Sequence, residues 1–217
     1  MDPTTFVRDL EAFKSERLAP ILGAGTSSLA SPSTTEPKTL LQVALANEIS
    51  VSDLAAVWIP STREVDVKVA FARQAGDEAN HFQLVADRLT ALGFDVAAFQ
   101  LPADNALFTY MKALPSTVER IAAGLFTLES IAHGVNESFM AYCASRGDDE
   151  TVRIYREYIQ PDERAHQRLG HVLLVKYAIT PEQQAIARTT VGKVLEIAAA
   201  GREQAATKLG TACFPGC

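Results

Sequence analysis

The motif Asp-Glu-x-x-His occurs twice in this chain, at residues 77–81 and 162–166. A glutamate and a histidine three positions apart share one face of an α-helix, because the helix has 3.6 residues per turn. The two side chains can then bind one metal ion together. The aspartate, four residues before the histidine, can accept a hydrogen bond from an imidazole N–H. One copy arises by chance on charged helix faces, but two copies predict two helices that face a shared metal site.

The pattern of apolar residues and breakers around these motifs predicts an all-α fold. Four long helices are expected, at about residues 39–58, 64–92, 115–145 and 150–178. Short turns join the first helix to the second and the third to the fourth, which makes each pair antiparallel. The connection over residues 94–114, with a short helix at about 105–111, is long enough for the second and third helices to run parallel.

The chain is predicted to be a single domain over residues 1–217, with its bundle core at 39–178. A C-terminal helix is expected at 181–209, because Thr180 and Pro181 suit its N-cap and first position, and a tail follows. The N-terminal part, 1–38, is expected to contain a short amphipathic helix and then a linker rich in glycine, proline and serine over residues 18–37. A phosphate-binding loop there is disfavoured, since no lysine follows at the required spacing.

The positions of four glutamates relative to the predicted turns provide an independent test. Two ligands on the arms of a helical hairpin lie level only if the turn is midway between them. Glu48 and Glu78 have their midpoint at position 63, within the first turn. Glu129 and Glu163 have theirs at position 146, at the second turn. Both pairs are therefore predicted to lie level.

The same test selects among the carboxylates of the third helix. Pairing Glu137 with Glu163 moves the midpoint to 150, inside the fourth helix, and pairing Glu119 moves it to 141, inside the third. Glu129 is thus preferred. The alternative, that Glu48 and Glu129 lie on solvated faces, is disfavoured because their neighbours are apolar, and an ionised carboxylate facing a core needs a partner.

Together these residues resemble the site of the ferritin-like di-iron carboxylate superfamily, which takes one glutamate from each of two helices and a Glu-x-x-His from each of two others. The resemblance covers residues 39–178 and implies a ferritin-like four-helix bundle, built as two antiparallel helical hairpins with a long crossover. It implies two iron ions, with manganese or a mixed pair as alternatives. The implied metal ligands are Glu48, Glu78, His81, Glu129, Glu163 and His166.

By the same resemblance, Glu78 and Glu163 bridge the two ions, Glu48 and His81 complete one, and Glu129 and His166 complete the other. Three further residues are candidates for hydrogen bonding just outside the ligands: Asp77, Asp162 and His133. His133, four residues after Glu129, is also open to interpretation as an additional ligand, as in some di-iron N-oxygenases.

Three other residues near the motifs lead to predictions about the interior of the bundle. Pro161 removes a backbone donor two residues before Glu163, which predicts a kink or a local widening of the fourth helix. Tyr142 and Tyr158 are candidates to approach the interior of the bundle.

The function implied by the resemblance is an oxygen-activating oxidoreductase of the hydroxylase, desaturase or oxygenase type. Its expected partners are a small-molecule substrate, dioxygen and an external electron donor, and a homodimer is one assembly left open. An elongated apolar cavity beside the metals is expected. The alternatives are a ferroxidase or iron-handling protein without an organic substrate, and a scaffold that keeps the ligands without turnover.

Composition excludes several other classes. A formal charge of -6 and a pI near 5.3 argue against nucleic-acid binding. No uninterrupted apolar run approaches the roughly 20 residues of a membrane span, so no membrane association is expected. Three cysteines make no disulfide framework, which favours a cytoplasmic setting. Cys213 and Cys217 are expected to be flexible free thiols, with a disulfide or a metal site as the alternatives.

Overall fold

The computed structural model describes residues 1–216, and this part of the chain is helical with no strand. The predicted all-α class is therefore confirmed. The α-helices are α1 (Pro3–Leu29), α2 (Pro37–Trp58), α3 (Val65–Ala91), α4 (Ala106–Lys112), α5 (Thr117–Ile121), α6 (Glu129–Ser145), α7 (Asp149–Ile154), α8 (Gln160–Tyr177) and α9 (Pro181–Leu209). A short 3-10 helix, Val96–Ala98, lies in the connection after α3.

Two π-helical segments join helices that the sequence predicts as continuous. Ala122–Leu128 links α5 to α6, and Tyr155–Ile159 links α7 to α8. In the second segment the backbone N–H of Gln160 donates to the carbonyl of Tyr155, five residues back. Pro161 follows at once and has no backbone N–H with which to continue an α-helical ladder. The local widening predicted near Pro161 is confirmed.

Helices α2 and α3 form one antiparallel pair. The Ser52 hydroxyl donates to the Ala75 carbonyl at 2.8 Å, and the rings of Trp58 and Phe71 lie 5.2 Å apart. Ser52 lies beside Ala75 and Trp58 lies beside Phe71, so the two helices run in opposite directions.

Helices α5–α6 and α7–α8 form a second antiparallel pair. A Cβ on Gly170 of α8 would lie 2.6 Å from the backbone of Leu125, so only glycine permits this approach. Further along, the Asn136 amide donates to Gln160 at 3.3 Å.

The two pairs face each other through α3 and α8. His81 lies 3.2 Å from Asp162, and Lys176 lies 2.7 Å from Asp66 at the other end of the interface. Helix α8 is therefore antiparallel to α3, and α3 runs parallel to α5–α6. The long connection after α3 carries the chain back along the length of the helices, as the sequence predicts.

The predicted linker over residues 18–37 is wrong for residues 18–29, because α1 continues through Pro20 to Leu29; residues 30–36 connect α1 to α2 without helix, as predicted. Leu18 and Ile21 are buried in the core. At Gly25 the helix comes so close to α6 that an added Cβ would lie 2.7 Å from the Ser138 hydroxyl oxygen. Burial against neighbouring helices outweighs the low helix propensity of glycine and proline here.

The chain after α9 is also more ordered than predicted. Gly210 has a positive φ of 67° and ends α9, and the tail then turns back along the helices. Cys213 is fully buried, with its thiol donating to the Gly25 carbonyl at 3.3 Å. The prediction of a flexible thiol is therefore wrong for Cys213, and Cys217 lies outside the described residues.

Helix α2 is long and apolar enough, by length and composition alone, to cross a membrane. The absence of long uninterrupted apolar runs in the sequence did not reveal this property of α2. Buried core helices pass the same test, and α2 packs along its length on α3 and carries the buried Glu48.

Two glycines of α1 provide a matched test of this packing. Gly25→Ala is expected to destabilise the protein by about 1–3 kcal/mol, because the new methyl group overlaps Ser138. Gly23→Ala meets no atom within 4 Å and is expected to be neutral or to stabilise by up to about 1 kcal/mol. Urea denaturation of both variants measures the difference, and equal stabilities would contradict the packing of α1.

Candidate metal centre

The six predicted ligands lie together in one buried cluster between α2, α3, α6 and α8. No member is more than 5% exposed. The cluster consists of Glu48, Glu78, His81, Glu129, Glu163 and His166. The structure therefore brings together every carboxylate and imidazole that the motifs and the midpoint test select.

The cluster divides into two four-residue groups, each able to hold one metal ion. The ligand atoms of each group lie within 4.8 Å of one another. Glu48 and His81 belong to the first group and Glu129 and His166 to the second, while Glu78 and Glu163 belong to both. Two shared carboxylates could contact both members of a pair of neighbouring ions.

The distances inside the cluster fit ligands around an ion better than they fit hydrogen bonds. His81 Nδ1 lies 3.6 Å from Glu48 Oε2 and 3.4 Å from Glu78 Oε2. His166 Nδ1 lies 3.5 Å from Glu78 Oε1 and 3.6 Å from Glu129 Oε2. These separations exceed the usual hydrogen-bond range. Two ligands about 2.1 Å from one ion lie roughly 3.4–3.6 Å apart at angles between about 110° and 120°.

Four buried atoms of the cluster have no hydrogen-bond partner among residues 1–216. They are Glu78 Oε1, His81 Nδ1, Glu163 Oε2 and His166 Nδ1. Burying a polar atom without a partner costs about 1–3 kcal/mol, and more for charged groups. A cation between the ligands would partner all four, so the residues present fit a metal ion.

The pKa values of the carboxyl groups show how bound protons neutralise part of the charge of the cluster. Burial raises the pKa of Glu48 to about 7, and burial with the neighbouring Glu129 raises the pKa of Glu163 well above its usual range. Burial would also raise the pKa of Glu78, but its contacts with His166 and His81 outweigh this and hold it at about 2. A metal ion entering the cluster would therefore displace protons from Glu48 and Glu163.

The effect of burial on the pKa values of the two imidazoles is opposite to its effect on the carboxyls. Burial would lower their pKa values, but the surrounding carboxylates outweigh it. The pKa of His166 is raised to about 11, chiefly by Glu129, and that of His81 is raised well above its ordinary value, chiefly by Glu48. With four carboxylates to two imidazoles, the cluster could hold cations in place of its protons.

The aspartate of each motif contacts the histidine of the other motif. Asp162 Oδ2 lies 3.2 Å from His81 Nε2, and Asp77 Oδ2 lies 3.0 Å from His166 Nε2. The sequence placed aspartate and histidine on the same side of one helix, but the partner comes from across the α3–α8 interface. An aspartate that accepts the Nε2 proton leaves Nδ1 free to face the carboxylates and a metal.

Gln74 is a residue of this site that the sequence analysis missed. Its side chain is 1% exposed, and its amide donates to Glu129 Oε1. Gln74 lies four residues before Glu78 and seven before His81, so it shares their face of α3. That spacing could have identified it. Gln74 holds the Glu129 carboxylate in place from the opposite helix pair.

Of the two tyrosines predicted to approach the interior, Tyr142 is buried, with its hydroxyl donating to the Thr35 carbonyl, whereas Tyr158 is 43% exposed. The tyrosine near the cluster is Tyr155. It is fully buried, its hydroxyl has no hydrogen-bond partner among residues 1–216, and burial and the Glu48 carboxylate raise its pKa well above the usual value.

The π-helical segment explains why Tyr155 was missed. Tyr155 lies eight positions before Glu163, about 80° around a regular α-helix at about 100° per residue. A π segment accommodates one extra residue, which rotates Tyr155 back by about 100° onto nearly the same face.

The first π segment carries Glu129 at its end and is held by α1. The N–H of Glu129 donates to the Gly124 carbonyl, five residues back. Buried Lys14 of α1 donates to the Phe126 carbonyl at 3.1 Å and to the Ser130 hydroxyl at 2.7 Å. The N-terminal helix therefore stabilises the widened turn that presents Glu129.

The remaining candidates lie outside the cluster. His133 belongs to neither four-residue group, and burial and Arg164 lower its pKa. Glu119 closes a capping box with Ser116, and Glu137 is exposed and accepts a hydrogen bond from Gln160.

The free space at the cluster is small. The cavity that touches Glu48, Glu78, Glu129 and Glu163 has a volume of only about 10 Å³. This is room for about one water molecule. The elongated apolar cavity expected beside the metals is not present in this conformation of residues 1–216.

Comparison with known proteins identifies one family. A family model described as "Protein of unknown function (DUF455)" matches residues 34–191. The matched region contains all six cluster residues, whereas α1, the end of α9 and the tail lie outside it. No curated protein and no solved structure matches the chain.

Metal affinity is expected to rise with pH through neutrality. Below a pKa of about 7, Glu48 carries a proton that an incoming cation must displace; above it, the carboxylate is free. Anaerobic titration with ferrous ion between pH 6 and 8 measures the dependence. Glu48→Gln has no such proton to lose, so its dependence should be shallower, and a profile identical to the unmodified chain would contradict this role.

Loss of a cross-interface aspartate is expected to weaken metal binding. Asp162→Ala removes the acceptor for His81 Nε2 and should lower the affinity for ferrous ion roughly 10–100-fold. The exposed Asp53 on α2 provides a control, because Asp53→Ala removes a carboxylate away from the cluster. Equal affinity of the two variants would show that the aspartate does not orient the ligand.

Proposed function

We propose that this chain, which belongs to the DUF455 family of proteins of unknown function, is a di-iron oxidoreductase that activates dioxygen to oxidise a small organic substrate. The observation that carries the proposal is the pair of four-residue groups that share Glu78 and Glu163. Carboxylate and imidazole ligands suit iron, and they also accept manganese or a mixed pair.

We further propose that the two helix pairs form a ferritin-like four-helix bundle. The antiparallel pairing within each pair, the parallel run of α3 and α5–α6, and the long connection between them support this architecture. The site then lies in the core between α2, α3, α5–α6 and α7–α8, and each of these four units contributes at least one ligand.

The chain's own residues have defined tasks in this proposal. Asp77 and Asp162 hold the Nε2 protons of the two histidines and fix which ring nitrogen faces the metals. Gln74 positions Glu129. The burial of the ligands excludes bulk water, which strengthens electrostatic interactions inside the cluster. The reduced metal pair would supply the electrons for the reduction of dioxygen.

The partners and setting in this proposal come from the sequence. The expected partners are a small-molecule substrate, dioxygen and an external electron donor, and a homodimer is compatible with the chain. The acidic charge supports the absence of nucleic-acid binding. The free, buried thiols of Cys143 and Cys213 are compatible with a cytoplasmic location.

A second candidate function, iron oxidation without an organic substrate, is favoured by one observation. The cavity at the cluster, about 10 Å³, has no room for an organic molecule in the present conformation. A ferroxidase needs access only for iron, oxygen and water.

Oxygen uptake separates the two candidates. Iron-loaded protein with a chemical reductant is expected to consume oxygen repeatedly and faster when the correct organic compound is present. A panel of small apolar compounds, screened with an oxygen electrode, makes the measurement. A Glu78→Ala variant, which lacks a carboxylate shared by both groups, is expected to lose at least about 100-fold in rate. Oxygen consumed only in proportion to added ferrous ion would instead identify iron oxidation.

A further inference from the structure

The tail after α9 folds back against the helices and is held along its length. Residues 213–216 are buried. The buried Arg202 of α9 donates to the carbonyls of Phe214 at 2.8 Å and Gly216 at 2.7 Å, and its guanidinium lies 3.9 Å from the centre of the Phe214 ring. From α1, Gly25 accepts the hydrogen bond of the Cys213 thiol.

The end of the described tail lies directly against the cluster. The N–H of Gly216 donates to Asn136 Oδ1 at 3.2 Å, and Asn47 donates to the Pro215 carbonyl at 3.5 Å. Asn47 adjoins the ligand Glu48 in sequence. Gly216 lines the small cavity at the ligands, and among residues 1–216 it is the one lining residue that comes from outside α2, α3, α6, α8 and the π segment before α6.

A much larger cavity also adjoins this tail. It has a volume of about 560 Å³, and its lining includes Asn47, Leu107, Ile197 and Phe214. Small-molecule sites typically measure about 300–1,000 Å³ and are mostly apolar. The inner and outer cavities share Asn47, and tail residues 214 and 216 line one each.

We propose that residues 211–216 form a removable cover over the metal cavity, and that the outer cavity is the antechamber through which a small apolar organic substrate reaches the ligands. This inference rests on the proposed function. The inner cavity holds about one water molecule, so a larger molecule enters only if a lining element moves. The tail is the element that can leave without separating the helices that carry the ligands.

The cover also lies outside the region matched by the family model, while all six ligands lie inside it. The two parts of the site are therefore separable in sequence: a ligand cluster within residues 34–191 and a cover contributed by residues 211–216. Access to the metals is expected to be set by the cover without any change in the ligands.

Two substitutions loosen the cover by different means. Gly216 has a positive φ of 72°, and a Cβ there would lie 2.5 Å from the Asn47 amide nitrogen, so Gly216→Ala strains the closed position. Phe214→Ala removes the buried ring beneath Arg202 without adding an atom near the ligands. Gly201→Ala is the control, because Gly201 lines the outer cavity but has no atom within 4 Å of a new Cβ.

Two independent rates report on the cover in the full-length protein. Alkylation of Cys213 by N-ethylmaleimide, assigned by fragment ions in mass spectrometry, measures opening of the tail. Cys143, equally buried but in the helix core, reports global unfolding in the same sample. Transfer of ferrous ion to a chelator, under anaerobic conditions, measures access to the metals.

Both loosened variants are expected to speed Cys213 alkylation and iron transfer by a similar factor, roughly tenfold, with Cys143 alkylation and the Gly201→Ala rates unchanged. Faster Cys213 alkylation without faster iron transfer would overturn the cover, as would no change in either rate or parallel acceleration at Cys143. Failure of the unmodified protein to bind iron would instead contradict the proposed function, and the cover with it.

Discussion

Four carboxyl groups and two imidazoles share one buried space, and the surrounding structure depends on how their charge is neutralised. In the described structure two of the carboxyls, Glu48 and Glu163, have pKa values raised by burial, and four polar atoms of the cluster lack partners. Such an arrangement is costly unless cations or protons enter it. A core that serves only stability would use apolar side chains at these positions, so the cost supports the proposal that the cluster binds cations.

Elements from the N-terminal, central and C-terminal parts of the chain contribute to this site. Two π-helical segments precede ligands and alter the register of the helices that carry them, a feature often found at functional sites. Lys14 of α1 supports the first π segment, and Gly216 of the tail lines the cavity. The N- and C-terminal elements, outside the matched family region, therefore act on the same six residues as the core helices.

The sequence predicts well which six residues come together, because helical spacing is a local property. Glu78 and His81 share a face through a spacing of three, and Glu129 is selected by its distance from one turn. Features that depend on tertiary packing are beyond such reasoning. The helix of α1 continues through Gly25 because α6 lies against it, the aspartates pair across an interface, and Tyr155 reaches the cluster only through a π turn.

Crystals of iron-loaded protein, measured at the iron absorption edge, would show whether the cluster is a two-metal site. Two anomalous peaks per chain are expected, one beside Glu48 and His81 and one beside Glu129 and His166, with Glu78 and Glu163 contacting both. A protein saturated with ferrous ion that shows no peak, or a single peak distant from these residues, would show that the cluster does not hold two ions.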